Sequence, residues 1–97
     1  MMYVKIHKSK EREILVICDE DILGKTFEEN ELQLKVSESF YKGEKKSEKE
    51  VIDLISNYDN INLAGKKTIR LAIDNNLIDE SSVINISGVP HVQMYAI

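Results

Sequence analysis

The sequence has one cysteine, one proline, no tryptophan and no long apolar run in 97 residues. Each shortage removes a class of protein. A lone thiol, Cys18, cannot close an internal disulfide, so packing has to hold the chain together, as in proteins of the reducing cytoplasm. Zinc has no anchor either: no Cys-x-x-Cys or His-x-x-x-His pair occurs, and His7, Cys18 and His91 lie in distant segments. No metal site and no cofactor are expected. The longest apolar stretch, "ILVIC" at 14–18, is far short of the ~20 residues that cross a bilayer. The chain opens on no basic segment followed by an apolar one, so a cytoplasmic protein without membrane contact is expected. A net charge of −4 disfavours indiscriminate phosphate binding, because nucleic-acid affinity comes largely from lysine and arginine releasing counterions.

What is present is the composition of an ordinary globular protein, 42% hydrophobic and 31% charged, enough for one domain over residues 1–97. "YVKIH", 3–7, alternates with Val4 and Ile6 on one face, as a half-buried strand does. Residues 13–18 are apolar almost without a break, which predicts a central strand covered on both sides. The acidic turn "DEDILGKTFEEN" follows, with Gly24 suited to a positive φ. "LQLKVS" predicts a third strand with Leu32, Leu34 and Val36 inward. Ser47-Glu48-Lys49-Glu50 is a capping box that opens a helix ending near Asn57, with Val51, Leu54 and Ile55 as its stripe. A second helix is predicted over 63–76, with Asn62 as its cap. Two alternating tail segments, "VINI" and "HVQMYAI", flank Ser87, Gly88, Val89 and Pro90, read as a hairpin loop or strand bend. The expected fold is therefore α+β: a mainly antiparallel sheet of four to five strands with two adjacent helices on one face, in the order β-β-β-α-α-β-β.

The most chemically suggestive stretch is "GVPHVQ", 88–93. Gly88 and Pro90 form the turn, and a strand period of two puts His91 and Gln93 on one accessible face, with Val92, Met94 and Ala96 inward and Tyr95 and Ile97 beside the histidine. An imidazole next to an amide can bind a base edge, a carboxylate or a backbone segment. The competing reading commits His91 to a carbonyl of its own turn. The Val89–Pro90 peptide is left open between cis and trans. Cys18 precedes Asp19, Glu20 and Asp21, whose negative field opposes thiolate formation, so it reads as a buried, quiet thiol. The acidic triplet lacks the spacing of a calcium loop. "LGKTF" and "AGKKT" resemble phosphate loops but have Asp19 and Asn60 where the first glycine belongs. What remains there is a helix start at 63–66 beside Lys66 and Lys67, able to hold one anion such as an RNA phosphate.

Several segments together, "MYVKIHKSKEREILVICDEDILGKTF", "FYKGE", "NLAGKK" and "INISGVPHVQ", resemble a family of short archaeal proteins known as domain of unknown function 424. The resemblance rests on Cys18, Asp19, Leu23, Gly24, Lys25 and Phe27, on Phe40, Tyr41, Gly43 and Glu44, and on Gly88, Val89, Pro90, His91 and Gln93. Val92 departs from the small residue expected between the histidine and the glutamine. The resemblance implies a compact soluble archaeal protein, no established activity and a loose link to translation. Two functional expectations result. One is a non-catalytic binding module for RNA or a translation-associated protein, using His91 and Gln93 with Lys25, Tyr41 and Asp19. The other is a small enzyme in which Cys18 or His91 acts with Asp19.

Overall fold

The computed structural model describes residues 1–96; the expected place of Ile97 beside His91 lies outside them. Two strands come first, Met2–Lys8 (β1) and Glu13–Asp19 (β2), antiparallel with Met2 opposite Asp19 and Lys8 opposite Glu13. A single 3-10 turn over Glu20–Ile22 leads to Thr26–Glu29 (β3) and Leu32–Lys35 (β4). Glu38–Tyr41 is a one-turn helix (α1), capped by Ser37, whose hydroxyl accepts from the Phe40 amide. Glu44–Lys46 (β5) and Glu48–Ser56 (α2) follow, then Ile61–Ala64 (β6), Lys66–Asp74 (α3), Ile84–Ile86 (β7) and Val89–Met94 (β8).

The architecture is α+β, with six strands in the order β5-β1-β2-β6-β8-β7 and a separate β3–β4 hairpin. β2 is central, as its unbroken apolar run predicts. Its partner on the far side is β6, which runs parallel to it with Leu15 opposite Ile61 and Cys18 opposite Ala64. The sheet has a core on each face. Leu15, Ile17, Leu63 and Val92 pack beneath Val51 and Ile55 of α2 and Ile69 and Ala72 of α3. On the other face Val16, Cys18, Ala64 and Val89 pack beneath Leu34, Val36 and Tyr41, from the hairpin side and α1.

Several expectations are corrected. The second helix does not begin at residue 63: Ile61–Ala64 is a strand and α3 starts at Lys66, so Asn62 is no cap. "LQLKVS" does not join the sheet; β4 pairs with β3, inside what reads as a turn, and Leu32 stands exposed while Leu34 and Val36 are buried. β5 was not expected, and α1 makes three helices, with only α2 and α3 on the same face. Pro90 is not in the turn. The turn is Ser87 and Gly88, both at positive φ (52° and 85°) as a two-residue hairpin loop requires. Pro90 lies in β8 opposite Asn85, in a trans peptide, where its missing N–H leaves no ladder bond to β7 unmade. Gly24, at φ 84°, meets the turn expectation. Met94 and Ala96 are exposed rather than inward: Met94, the last residue of β8, lines an open cleft of ≈ 480 Å³ beside Ile73, Leu77 and Ile78, and Ala96 lies beyond the end of the strand.

The capping box forms as expected. Ser47 Oγ accepts from the Glu50 amide at 3.4 Å, and the Glu50 carboxylate accepts from the Ser47 amide at 3.2 Å. Replacing Ser47 with Ala is expected to lower stability by about 1 kcal/mol; an unchanged urea midpoint would remove the cap from the account.

Candidate functional site

Two of the sequence's polar segments meet at the C-terminal ends of the parallel pair β2 and β6, but they meet to build structure. Asp19 is buried there, and its carboxylate accepts from the amides of Lys67 and Thr68 at 2.9 and 2.8 Å and from the Thr68 hydroxyl at 2.7 Å. These are the free N–H groups of the first turn of α3, where a negative charge also meets the positive end of the helix dipole. The anion expected at this helix start is thus supplied by the protein itself. A cleft of ≈ 230 Å³ lies alongside, lined by Asp19, Asp21, Gly65, Lys66 and the Ser87–Gly88 turn.

A second constellation forms on the sheet face that carries the hairpin. Asn62 is buried in β6, and its side-chain Oδ1 accepts the Tyr41 hydroxyl at 2.6 Å and lies 3.1 Å from His91 Nε2. An amide oxygen has no proton, so Nε2–H is the donor and Nδ1 keeps the lone pair. Gln93 stands opposite Asn62 in the β6–β8 register, and Ile84 stands opposite His91 in the β7–β8 register. Paired residues in a sheet project to the same side, so Asn62, Gln93, His91 and Ile84 share this face. His91 is half-buried, and burial holds its pKa below the ordinary histidine value. Burial first, then the neighbouring Cys18 and Tyr95, raises the Tyr41 pKa, which keeps its hydroxyl a donor.

The histidine therefore bonds a side chain 29 residues away rather than a carbonyl of its own turn. Tyr41 reaches the site from α1, which covers the neighbouring part of the same face; it is 2% exposed. Lys25 and Asp19 make no hydrogen bond or ion pair to this group among the described residues. Lys25 sits at the foot of the hairpin, its backbone bonded to Ile22 and Val36, and Asp19 is spent on α3. Cys18 is fully buried, and burial together with Asp19 and Asp21 pushes its pKa up to about 12. A thiol reagent is expected to label the native protein far more slowly than the unfolded chain; equal rates would contradict the burial of Cys18. Among the described residues no three His, Cys, Asp or Glu side chains cluster as metal ligands, and no helix is long and apolar enough to cross a membrane.

A family model described as "Protein of unknown function (DUF424)" matches residues 7–97. The chain belongs to the DUF424 family. A crystal structure of an uncharacterized conserved protein from Methanopyrus kandleri is similar at a TM-score of 0.78 and 30% identity, covering 97% of this chain and 90% of that one. No curated protein matches.

In this DUF424 chain the first motif thus divides between core and cap: Cys18 fills the space under Tyr41, and Asp19 closes α3. The last motif supplies His91 and Gln93 to the polar face. Asn62, the residue that joins the two halves of that face, reads in the sequence as a helix cap and not as part of a site. One signal for it was present, a lone polar residue set between Ile61 and Leu63.

The half-buried imidazole has a pH consequence. The folded state takes up a proton at His91 less readily than the unfolded chain, whose histidine titrates near its ordinary value of about 6.5. The stability contribution of the neutral ring is therefore complete above that pH and is lost as pH falls from there toward the lower folded-state value. Replacing His91 with Ala is expected to flatten this part of a stability-versus-pH curve. An identical acid-side slope in both proteins would contradict the assignment.

Proposed function

We propose that this protein is a non-catalytic binding module that engages a partner protein through the sheet face carrying His91, Gln93, Asn62, Ile84 and Tyr95. The observation that supports this most is the absence of charge. In a chain that is 31% charged, none of the side chains that β6, β7 and β8 contribute to this face is an acid, lysine or arginine. Large apolar groups nevertheless stand open around the polar centre, with Ile84 52% and Tyr95 46% exposed. A charge-depleted centre with tyrosine and exposed aliphatic surface is the make-up of protein–protein contact. RNA binding would call for cations directed at phosphates; the β6–β8 part of this face offers none, and Lys5, further along the same face, donates to the Ser39 carbonyl.

Catalysis has less support. The acid that the catalytic reading pairs with His91 or Cys18 is Asp19, whose oxygens already accept three bonds from α3. A protonated, fully buried thiol is a poor nucleophile. The binding reading asks only for a displayed surface.

Purified protein is expected to elute with the absorbance ratio of protein alone and to retain a partner protein that both His91→Ala and Gln93→Ala variants lose. Co-eluting nucleic acid, or a partner kept by both variants, would count against the reading.

A further inference from the structure

We propose that Tyr41 is the positioning residue of this face and that, by fixing the Asn62 amide, it makes His91 a reader of hydrogen-bond donors, best met by an arginine side chain of the partner. The inference rests on the reading of the face as a binding surface and adds what that surface selects.

The geometry carries it in three steps. A side-chain amide can be turned over at little cost in shape, exchanging its oxygen for its NH₂ group, and only its hydrogen-bond partners decide which way it points. The Tyr41 hydroxyl lies 2.6 Å from the amide, the length of an O–H···O bond and shorter than an N–H···O bond, so it favours the orientation that brings Oδ1 to it. With the oxygen so placed, the same atom faces His91 Nε2 at 3.1 Å and both of its lone pairs are used. The imidazole must then carry its proton on Nε2, and Nδ1 is left as an acceptor. Every fully buried side-chain nitrogen or oxygen among the described residues has a partner. No described group bonds Nδ1 of the half-buried ring, so Nδ1 lies where solvent, and hence a ligand, can reach it.

A neutral acceptor among the uncharged side chains of β6, β7 and β8 suits an N–H donor and has nothing to offer a phosphodiester or carboxylate, which present only acceptors. The net charge of −4 favours a cationic donor over a neutral one. Guanidinium adds a flat surface that can lie against the exposed ring of Tyr95.

The test has two readouts on the intact protein. Imidazole ¹⁵N shifts report the tautomer without any partner. Wild type is expected to show His91 as the single Nε2–H form, and Tyr41→Phe, which keeps the ring that fills the core, a mixture with the Nδ1–H form. A role for Tyr41 in packing alone would leave the tautomer unchanged, and that result overturns the positioning role. Wild type in the Nδ1–H form overturns it equally, whatever the variant does. Titration with arginine amide is expected to move the Nδ1 resonance of wild type, with a smaller shift in Tyr41→Phe, while dimethyl phosphate, which has no P–OH to donate, moves neither. A response to dimethyl phosphate, or none to arginine amide, overturns the donor selectivity. The tautomer can prove correct while no partner protein is found, so failure here and failure of the binding reading are separable.

Discussion

Replacing Asp19 with Ala is expected to lower the stability of the protein by about 3 kcal/mol, the scale set by hydrogen bonds to a charged group and by buried donors left unsatisfied. Three donors lose their acceptor at once: the amides of Lys67 and Thr68 and the hydroxyl of Thr68. Thr68 is fully buried, so water cannot take over both of its bonds without the first turn of α3 opening. That turn carries Ile69 into the core under α2 and α3, so fraying there loosens packing as well. Asp19→Asn keeps an acceptor without the charge and should lose less. Urea midpoints for the three proteins check this, and an Asp19→Ala midpoint within ~0.5 kcal/mol of wild type, as for a surface change, would contradict the cap.

Gly65→Ala is expected to be of similar size, about 3 kcal/mol, from strain and overlap together. Gly65 has φ 110°, a backbone conformation that side chains other than glycine rarely adopt. A methyl group there would also press on Asp19, within 2.6 Å of both of its carboxylate oxygens. The carboxylate would have to move off the amides it caps. The two substitutions should therefore combine to less than their sum, because Asp19→Ala removes the overlap and leaves only the strain. A four-protein cycle by urea melts reads this directly; strict additivity would mean that Gly65 and Asp19 do not share the site.

The legibility of the fold follows from how local each determinant is. β1 and β2 announce themselves by alternation and by an unbroken apolar run, and α2 by a capping box contained within four residues. The shared face of His91 and Gln93 follows from strand period alone. β6 is different. "INLA" is four residues long and buried on both sides, so it has no polar face to reveal its period, and Asn62 before a run of helix formers imitates a cap. The true cap, Asp19, is 48 residues from the amide of Lys67 that it bonds, and no local pattern records that pairing. β5, Glu44–Lys46, is wholly charged and exists because β1 offers it an edge. The same reasoning explains the uneven reading of the candidate site. His91 and Gln93 were visible from parity, and Tyr41 from its motif. Their meeting at Asn62 depends on the parallel pairing of β2 with β6, which brings β8 alongside.

The central claim is that the face around His91 and Gln93 is where this DUF424 protein meets a partner protein. A photo-crosslinking amino acid placed at position 84, where Ile84 is exposed on the same face beside His91, with the same group at Lys49 on exposed α2 as control, tests it most directly in the cells that make the protein. A discrete protein adduct is expected from position 84 that the control does not form and that His91→Ala abolishes. Adducts to RNA, or the same adducts from both positions, would contradict it.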